Sequence, residues 1–302
     1  MQYGVRPARP EDAPAIARVH VESWLHNYRD LLPEHALLSR TVESRTQQWN
    51  RWLLEGGGRR VLVAERGGRI AGFAFAGPAR DTDADPWTAE LYALYLAPEG
   101  MHQGLGSRLW GALPDALAQA GFRQATLWVA RDNARARAFY ARCGFGEDGA
   151  TKVEDFAGAP LPELRCRAGL PDLPFVAGLA LALDTLDWAG AAGRLDPDCA
   201  YDTGQGTLHG RDDTIAALHL AAAPARARLD GLQSERQPLA LGGGRFRIDQ
   251  ADRLRHQGQA HVFRCQQALT LPEGKAVTRI VHRELPGERA RLQAFLRRVG
   301  VG

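Results

Sequence analysis

Two glycines in the front half of the chain have the spacing of a phosphate-binding turn. Gly104 and Gly106 follow a strand-like run at 90–96 and come before a helical pattern that runs from Ser107 to Ala120. The first backbone amides of a helix have no partner inside it and lie at the positive end of its dipole, so they hold a phosphate without a lysine. A Gly-x-Gly pair alone also closes many ordinary loops, so the turn gains meaning only from the residues that follow it.

An asparagine and a tyrosine come next on one predicted helix face. The run 126–130 has the β-branched and aromatic content of a short strand, and Asn133 then offers a cap for a helix at 134–143. With 3.6 residues per turn, Asn133, Ala136 and Tyr140 share a face that could line a narrow channel. A phenol with a pKa of about 10 stays protonated at neutral pH and can donate a proton. A buried core tyrosine is the alternative.

In this order, the two strands, the glycine turn and the helix that carries Tyr140 resemble the acetyl-CoA-binding core of the GNAT acetyltransferase superfamily, over Val5 to Arg167. The resemblance implies a mixed central sheet flanked by helices, and an enzyme that moves an acetyl group from acetyl-CoA to a primary amine of a small molecule or peptide in a ternary complex. Tyr140 would donate a proton to the departing thiolate. The implied cofactor-binding residues are Leu94, Tyr95, Leu96, Met101, His102, Gln103, Gly104, Leu105, Gly106, Ser107, Asn133, Ala136 and Phe139.

The turn departs from the family pattern at Met101, where the family usually has Arg or Gln. Backbone amides supply most of the phosphate contact in this design, so we expect the departure to be tolerated, with a lower affinity for CoA than in relatives. Arg135, Arg137 and Arg142 could reach the nucleotide phosphates instead. A solvated helix face is the equal alternative for these three arginines.

The reaction needs a group that takes a proton from the acceptor, because an ammonium cannot attack a thioester. Glu90 begins the strand that would bind the cofactor and resembles the acid often found there in the family. We therefore predict Glu90 as the base. The competing interpretation is an exposed carboxylate at a strand end.

The acceptor site is predicted from aromatic residues. Helical patterns at 13–24 and 33–54 would wall it, as helices here do in the superfamily. Trp24, Tyr28, Tyr92 and Trp128 could line a pocket for a small amphipathic or amino-acid-like amine. Aromatic residues at this spacing are more often plain core, and that alternative stays open.

Composition points away from several other classes. The net charge is +3 and only two of the 38 basic residues, Lys152 and Lys275, are lysines; the arginines are scattered, so no nucleic-acid partner is predicted. The most apolar stretch, 175–183, is far below the roughly 18 residues of a membrane span, and we expect a cytoplasmic chain with no membrane partner. The four cysteines lack metal-site spacing, so no metal and free buried thiols are predicted.

A domain boundary is predicted after the first unit, at 1–168, with a linker at 169–174 rich in glycine and proline and a second domain at 175–302. The second domain is predicted to contain a helix at 175–193, a short strand at 199–202, a helix at 212–222, four long alternating strands between 229 and 285, and a last helix at 287–299. Its segments 185–188, 195–199 and 208–211 resemble the SnoaL-like branch of the NTF2-like superfamily. The chain is thus expected to be α+β, with a GNAT fold followed by a curved antiparallel sheet with packed helices.

Two functions remain open at this point. The first is the acetyltransferase, with the second domain shaping substrate access or forming a homodimer. The second is a sensor that binds CoA or acyl-CoA without turnover and holds a small effector in the NTF2-like domain. Polar residues that could enter a pocket of that domain are Asp187, Tyr201, His256, His261, Cys265 and His282, and exposed strand faces are the stronger interpretation for them.

Overall fold

The computed structural model describes residues 4–55, 58–101 and 103–301, except for the side chains of residues 66 and 222. The chain forms two compact units. The first comprises residues 1–117 and 124–170, and the second comprises residues 118–123 and 171–302. Each unit has its own β-sheet.

The sheet of the first unit has the strand order β1-β2-β3-β4-β5-β7-β6 within the described residues. All neighbouring strands are antiparallel except β4 and β5, which are parallel. The strands are β1 (Gly4–Pro7), β2 (Arg60–Arg66), β3 (Arg69–Pro78), β4 (Thr88–Leu96), β5 (Gln124–Ala130), β6 (Gly146–Phe156) and β7 (Ala159–Gly169). The helices are α1 (Ala13–Tyr28), α2 (Glu34–Leu37), α3 (Val42–Glu55), α4 (Leu105–Gly111), α5 (Leu113–Gln119) and α6 (Ala134–Arg142), with 3₁₀ turns at Pro10–Asp12 and Pro98–Gly100.

Strands β4 and β5 separate soon after they begin. They pair only at Thr88–Glu90 with Gln124–Thr126, although β4 continues to Leu96 and β5 to Ala130. Beyond Glu90, β4 pairs with β3 on one side only, and β5 pairs with β7. A parallel pair that opens in this way leaves the inner edge of β4 without a strand partner, so its backbone groups there can bind something else.

Two predicted helices are each broken in two. The helix expected at 107–120 begins earlier, at Leu105, and is divided at Ala112 between α4 and α5. Pro114 explains the division, because proline removes a backbone N–H and belongs in the first turn of a helix. The helix expected at 33–54 is divided into α2 and α3, where Thr41 and Ser44 each accept a hydrogen bond from the other's backbone N–H through their side chains.

The core of the first unit lies between helices α1 and α3 and the sheet. Ile16 and Trp49 are fully buried there against Phe73 of β3. Apolar positions along α1 recur every three or four residues, which gives the helix one continuous buried face. This packing fixes α1 and α3 on the face of the sheet to which Tyr95 of β4 also contributes.

The second unit has a sheet of order β10-β11-β12-β13-β8-β9 within the described residues, with β13 and β8 parallel and the other neighbours antiparallel. Its strands are β8 (Leu195–Asp202), β9 (Thr207–His209), β10 (Gly231–Gly242), β11 (Arg245–His256), β12 (Gln259–Thr270) and β13 (Val277–Glu284). Its helices are α7 (Asp172–Thr185), α8 (Trp188–Ala192), α9 (Arg211–Arg228) and α10 (Glu288–Arg298).

The helix predicted at 175–193 is also two helices. Leu186 adopts a left-handed conformation with φ of 61° and ends α7. Asp187 then caps α8 by accepting a hydrogen bond from the backbone N–H of Gly190 at 2.9 Å. Asp187, which the sequence offered as a pocket residue, therefore has a local structural role.

Membrane and metal features are not found in the part of the chain that the structure describes. No helix there is long and apolar enough to cross a membrane. No group of three or more His, Cys, Asp or Glu side chains is placed to hold a metal ion among residues 4–55, 58–101 and 103–301. The four cysteines are free; Cys143 is half-buried rather than buried as expected, and the other three are buried.

Candidate active site

A cavity of about 1040 Å³ opens where β4 and β5 separate. This volume lies at the upper end of the range that ligand sites span, roughly 300–1000 Å³. The lining residues come from α1, α3, β3, β4, α4, β5, α6, β6 and β7 and from the loops that carry Arg40, Arg59, Arg80 and Met101, all in the first unit. Of the residues predicted from the sequence for catalysis, cofactor binding and the acceptor, all except His102 and Gln103 lie on the wall of this cavity; Arg137, offered for the phosphates, does not.

The turn between β4 and α4 brings a helix start to the cavity. Gly104 has φ of +73° and forms the N-cap of α4, with no side-chain cap on the amides that follow. Positive φ suits glycine, since other residues are strained there. Met101 and Ser107 line the cavity on either side. Gln103 turns away and donates a hydrogen bond to the carbonyl of Glu99 at 2.7 Å, and His102 lies outside the described residues.

Gly106 allows α4 and α6 to approach each other. A Cβ atom at this position would lie 3.0 Å from Cζ of Phe139 and 3.1 Å from its Cε2. Contacts this short force a neighbour to move, so a side chain at 106 would displace the Phe139 ring. The absence of a side chain therefore sets the width of the cavity between the turn and α6.

Helix α6 presents Asn133 and Tyr140 to the cavity, together with Ala136 and Phe139. Asn133 caps the helix: its Oδ1 accepts a hydrogen bond from the backbone N–H of Ala136 at 3.0 Å. Within the described residues, its Nδ2 donates to no other group, which leaves that N–H₂ for a ligand.

Tyr140 carries a phenol that has no hydrogen-bond partner among the described residues, although it lines the cavity. Burial raises its pKa well above the usual value. The same direction holds for Tyr28 and Tyr95, whose pKa values burial also raises. All three hydroxyls stay protonated at neutral pH, and Tyr140 is available as a proton donor.

Glu90 is buried and not the exposed strand-end carboxylate that the sequence left open. Its side chain is 3% exposed and forms an ion pair with Arg80, whose side chain is 66% exposed. Both carboxylate oxygens of Glu90 accept hydrogen bonds from Arg80. The predicted base is thus present in the cavity but already engaged.

A second buried carboxylate, Glu163 of β7, lines the same cavity. Its pKa is raised above the usual value by burial, against the opposing effect of Lys152, whose Nζ lies 3.4 Å from Oε2 of Glu163. Lys152 also pairs with Glu154 at 3.1 Å. Glu90, Glu154 and Glu163 give the cavity an acidic wall, and burial raises the pKa of one of these carboxylates, Glu163.

The four aromatic residues predicted for the acceptor line the cavity in different ways. Trp24 is 1% exposed, and its indole N–H donates to the carbonyl of Leu37 at 3.2 Å. Tyr28 stacks on Trp24 with ring centres 4.3 Å apart. The Tyr92 hydroxyl donates to the carbonyl of Pro78. These contacts give Trp24 and Tyr92 a role in the packing as well as in the wall.

Trp128 lies on the acidic side of the cavity. Its indole N–H donates to Oδ1 of Asp81 at 3.1 Å, and Nζ of Lys152 lies 4.7 Å from its ring centre. A cation over an indole face is a favourable contact, which holds Lys152 beside Glu163.

Two arginines, Arg40 and Arg45, form a basic wall of the cavity, and Glu154 is close enough to Arg40 to affect its pKa. The guanidinium of Arg40 lies 3.6 Å from the ring centre of Trp24, and Arg45 bonds to Gln48. No carboxylate among the described residues lies within ion-pair distance of either. Burial lowers the pKa of both arginines from its usual value.

His20 lies beside these two arginines at the cavity wall. Its Nδ1 accepts a hydrogen bond from the indole N–H of Trp49 at 3.3 Å. Burial, followed by the charges of Arg45 and Arg40, lowers the pKa of His20 to about 3. His20 is therefore a neutral ring at physiological pH.

The arginines of α6 divide between the cavity and the surface. Arg135 and Arg142 line the cavity. Arg135 also reaches Sδ of Met101 at 3.6 Å. Arg137 instead pairs with Glu147 at 2.7 Å and donates to the carbonyl of Arg131. Of the three arginines of α6, Arg135 and Arg142 thus line the cavity, and Arg135 also donates a hydrogen bond to Asn27.

Comparison with known proteins identifies the family. A sequence profile of the Acetyltransferase (GNAT) family matches residues 21–145. YuaI, an uncharacterised N-acetyltransferase of Bacillus subtilis, is 36% identical over 130 residues, which cover 43% of this chain and 72% of YuaI. An uncharacterised N-acetyltransferase of Archaeoglobus fulgidus is 32% identical over 145 residues, covering 45% of this chain and 88% of that protein.

The chain belongs to the GNAT family of N-acetyltransferases.

Solved structures similar to this GNAT acetyltransferase include the PaiA N-acetyltransferase of Thermoplasma acidophilum in complex with coenzyme A. It has a TM-score of 0.45 and 24% identity, and the match covers 56% of this chain and 99% of that chain. YncA of Salmonella typhimurium, solved with acetyl-CoA, has a TM-score of 0.46 and 22% identity, with coverage of 57% and 95%.

Three wall residues of this GNAT acetyltransferase, Glu163, Arg40 and Arg45, were not predicted from the sequence. They differ in whether the local sequence contains a signal for them. Glu163 occupies a position two residues after the buried Leu161 on β7, so a charge interrupts an alternating buried face. A charged residue at such a position was a signal that could have been read. Arg40 and Arg45 gave no such signal, because nothing local distinguishes them from the other arginines of the chain.

Proposed function

We propose that the chain transfers an acetyl group from acetyl-CoA to a primary amine of a small molecule or peptide, by direct attack within a ternary complex. The observation that carries the proposal is the convergence of three features on one cavity: uncapped amides at the start of α4, the open edge of β4, and the unpartnered hydroxyl of Tyr140.

The cofactor would lie along the opening between β4 and β5. Its pyrophosphate would meet the amides that follow Gly104, where the helix dipole favours an anion. The pantetheine arm would bind the free edge at Leu94–Leu96 and the side-chain amide of Asn133. Arg135 and Arg142, which line the cavity, would meet the nucleotide phosphates and would compensate for Met101 in the turn.

The attack needs a neutral amine about 3 to 3.5 Å from the thioester carbonyl carbon. Two carboxylates of the cavity wall can take the proton, directly or through a water. Arg80 occupies both oxygens of Glu90, whereas Glu163 has a raised pKa and one long contact to Lys152. We therefore place the base role on Glu163 first, with Glu90 orienting the acceptor and Arg80.

The departing thiolate needs a proton donor. When the tetrahedral intermediate collapses, the carbon–sulfur bond breaks and the electron pair goes to sulfur. The Tyr140 hydroxyl has a raised pKa and no hydrogen bond to any described residue, so it keeps a proton to give. The phenolate regains its proton from solvent or from the amine-derived proton on the carboxylate.

The test is release of CoA thiol with a panel of primary amines, with the products identified by mass spectrometry. We expect turnover with at least one amine, and a loss of at least tenfold in kcat for Tyr140→Phe. Tyr201→Phe is the matched control, because Tyr201 is a buried tyrosine of the second unit and should leave kcat unchanged.

The same test addresses the sensor function. Tight binding of acetyl-CoA without turnover on any amine would favour a sensor, which the similarity to N-acetyltransferases does not. If Tyr140→Phe retained the full rate of an active parent, the proton-donor role would be wrong.

For the second unit we infer an NTF2-like fold that begins near residue 175. Its support is the strand order, the parallel pairing of β13 with β8, and the packing of α7 on β10. Asp184 of α7 accepts hydrogen bonds from the backbone N–H of Arg236 at 2.9 Å and from its Nη1 at 2.5 Å. A homodimer through this unit is proposed as well, and light scattering after gel filtration would test it by giving the mass of the particle.

A further inference from the structure

We infer that the acceptor is an amino-acid-type zwitterion, whose carboxylate binds Arg40 and Arg45 while its amine faces the acidic wall. The inference rests on the proposed acetyltransferase function and names the substrate class of the same cavity.

The basic wall contains charge that no described residue neutralises. Two arginines with little exposed side chain meet carboxylates: Arg165 pairs with Asp81, Asp83 and Asp148, and Arg236 pairs with Asp184. The buried Arg194 instead donates to the backbone carbonyls of Gly190 and Gln119. Arg40 and Arg45 have no carboxylate partner in the described ranges, although both line the cavity. Both side chains are half-buried, and the Nε of Arg45 has no hydrogen bond, as in four other arginines of the described chain. A guanidinium partly removed from water without a carboxylate is less favourable than a paired one, and an anionic ligand would supply the partner.

Contacts with neighbours hold the Arg40 guanidinium at the cavity. Arg40 lies 3.6 Å from the ring centre of Trp24 and 5.0 Å from that of Phe156. Contact of this kind uses the face of the guanidinium, while its N–H edge lies against the Tyr95 hydroxyl and meets no carboxylate among the described residues. That edge matches a carboxylate, which arginine binds through two parallel hydrogen bonds.

The pair of arginines lies apart from the expected phosphate turn. Tyr95 and Leu96 are adjacent in β4, so their side chains lie on opposite faces of the sheet. The ring of Tyr95 lies 5.1 Å from that of His20 on the α1 and α3 side, beside the arginines. Leu96 and Leu109 of α4 both approach Gly72 on the other face. Arg40 and Arg45 therefore belong to the acceptor side and not to the pyrophosphate.

The distribution of charge decides the class of acceptor. The acidic wall of Glu90, Glu154 and Glu163 favours a protonated amine before reaction and provides its proton acceptor. The basic wall favours an anion within the same cavity. A zwitterion with both groups on one small molecule satisfies both walls, whereas a simple alkylamine leaves the arginines unpaired.

The experiment measures binding and turnover separately. Calorimetric titrations of the full chain saturated with CoA compare each amino acid with its decarboxylated amine: phenylalanine with phenethylamine, tryptophan with tryptamine, and leucine with isopentylamine. We expect at least one amino acid to bind tenfold or more tightly than its partner amine. Arg45→Gln should remove that difference, and Arg45→Lys should keep part of it.

Two controls separate the alternatives. Arg59→Gln changes another arginine of the cavity wall that already pairs with Glu55 at 2.6 Å, and it should leave amino-acid binding unchanged. The affinity for CoA should be the same in parent and Arg45→Gln, because the arginines do not contact the cofactor. Circular dichroism spectra show whether each variant is folded.

Amines that bind as tightly as their amino acids in all three pairs would overturn the inference, and so would amino acids that do not bind at all or an Arg45→Gln chain that loses CoA. Acetyl transfer to amines without a carboxylate would leave the proposed function standing and the acceptor class wrong. Amino-acid binding that needs Arg45, without any release of thiol from acetyl-CoA, would leave the acceptor class standing and the proposed transfer wrong.

Discussion

Arg80 holds both carboxylate oxygens of Glu90. Its backbone N–H and its Nε donate to Oε2 at 3.1 Å and 3.0 Å, and its Nη2 donates to Oε1. Three donors on one buried carboxylate fix its orientation and leave few lone-pair directions for an incoming proton. Among the described residues, the Glu163 carboxylate has one such partner, Lys152, at 3.4 Å. The two carboxylates therefore differ in how available they are.

The first prediction follows from that difference. Glu163→Gln should lower kcat/KM by about 100-fold at pH 7, since a positioned base contributes roughly 10² to 10⁴. In the parent, activity should fall as the pH drops toward the raised pKa of Glu163, because the protonated carboxyl cannot accept the proton of the amine. Glu163→Gln should lack this decrease on the acid side of the pH profile. Steady-state rates between pH 5 and 9 provide the measurement.

Glu90→Gln is the matched comparison, and its kcat/KM should fall by less than tenfold with the decrease on the acid side retained. Lys152 keeps Glu154 as a partner at 3.1 Å when Glu163 is changed, so the local charge balance is not lost. The opposite order of effects would return the base role to Glu90.

The contact between Gly106 and Phe139 predicts a steric effect on cofactor binding. Gly106→Ala places a Cβ about 3 Å from the Phe139 ring, which must move into the space proposed for pantetheine. We expect acetyl-CoA to bind about tenfold more weakly, measured by calorimetry. Gly111→Ala is the control in the same helix, because its Cβ would meet nothing within 4 Å and alanine favours a helix. Equal affinities for the two variants would count against the cofactor path.

The arginines of α6 predict an electrostatic effect. Arg142→Gln should weaken CoA binding, and the loss should shrink at high salt because a partly exposed charge pair is screened. Arg137→Gln removes a neighbouring charge that already pairs with Glu147, and it should change the affinity little. Affinities at about 0.05 M and 0.5 M salt test both. If both variants lost a similar amount of CoA affinity, the effect would come from the overall charge of the helix and not from a contact of Arg142 with the phosphates.

The wall of the cavity formed by the glycine turn and α6 could be predicted from the sequence because its signals are local. The glycine turn, the cap at Asn133 and Tyr140 lie within one short stretch, and each side chain is aimed by the element that carries it. The resemblance to the GNAT family implied the role of each residue, and the 3.6-residue period predicted which side chains share a helix face. The lengths of two helices were wrong, at Ala112 and at 38–41, where a proline and a reciprocal cap outweighed the apolar pattern. Gln103 and Arg137 were also expected at the site, but each bonds to a neighbour away from the cavity.

The acceptor side could not be predicted in the same way because its residues come together only through the fold. Arg40 lies between two helices, Arg45 is on α3 and Glu163 is on β7, more than 100 residues further along the chain. The sequence around each of these residues does not predict that the three side chains line one cavity. Strands β1, β2, β3 and β6 were likewise not predicted, since their pairing depends on partners far away in the chain.

His20 predicts the acid stability of the first unit. Its pKa is about 3 in the folded chain against about 6.5 when unfolded, because burial excludes the charged ring. Between pH 3 and pH 6.5, His20 therefore binds a proton in the unfolded chain but not in the folded chain. The free energy of unfolding keeps its full value above pH 6.5 and falls as the pH drops toward 3. One such group costs about 1.4 kcal/mol per pH unit, or about 2 kcal/mol between pH 6.5 and 5.

His20→Asn should lose this component, so its free energy of unfolding should fall by about 2 kcal/mol less than that of the parent over the same interval. Urea unfolding followed by tryptophan fluorescence reports mainly on the first unit, which contains all the tryptophans except Trp188. His35→Asn changes an exposed histidine and should follow the parent. If the free energy of unfolding had the same pH dependence in His20→Asn and in the parent, His20 would accept a proton in the folded state. His20 would then not be a neutral ring beside Arg40 and Arg45.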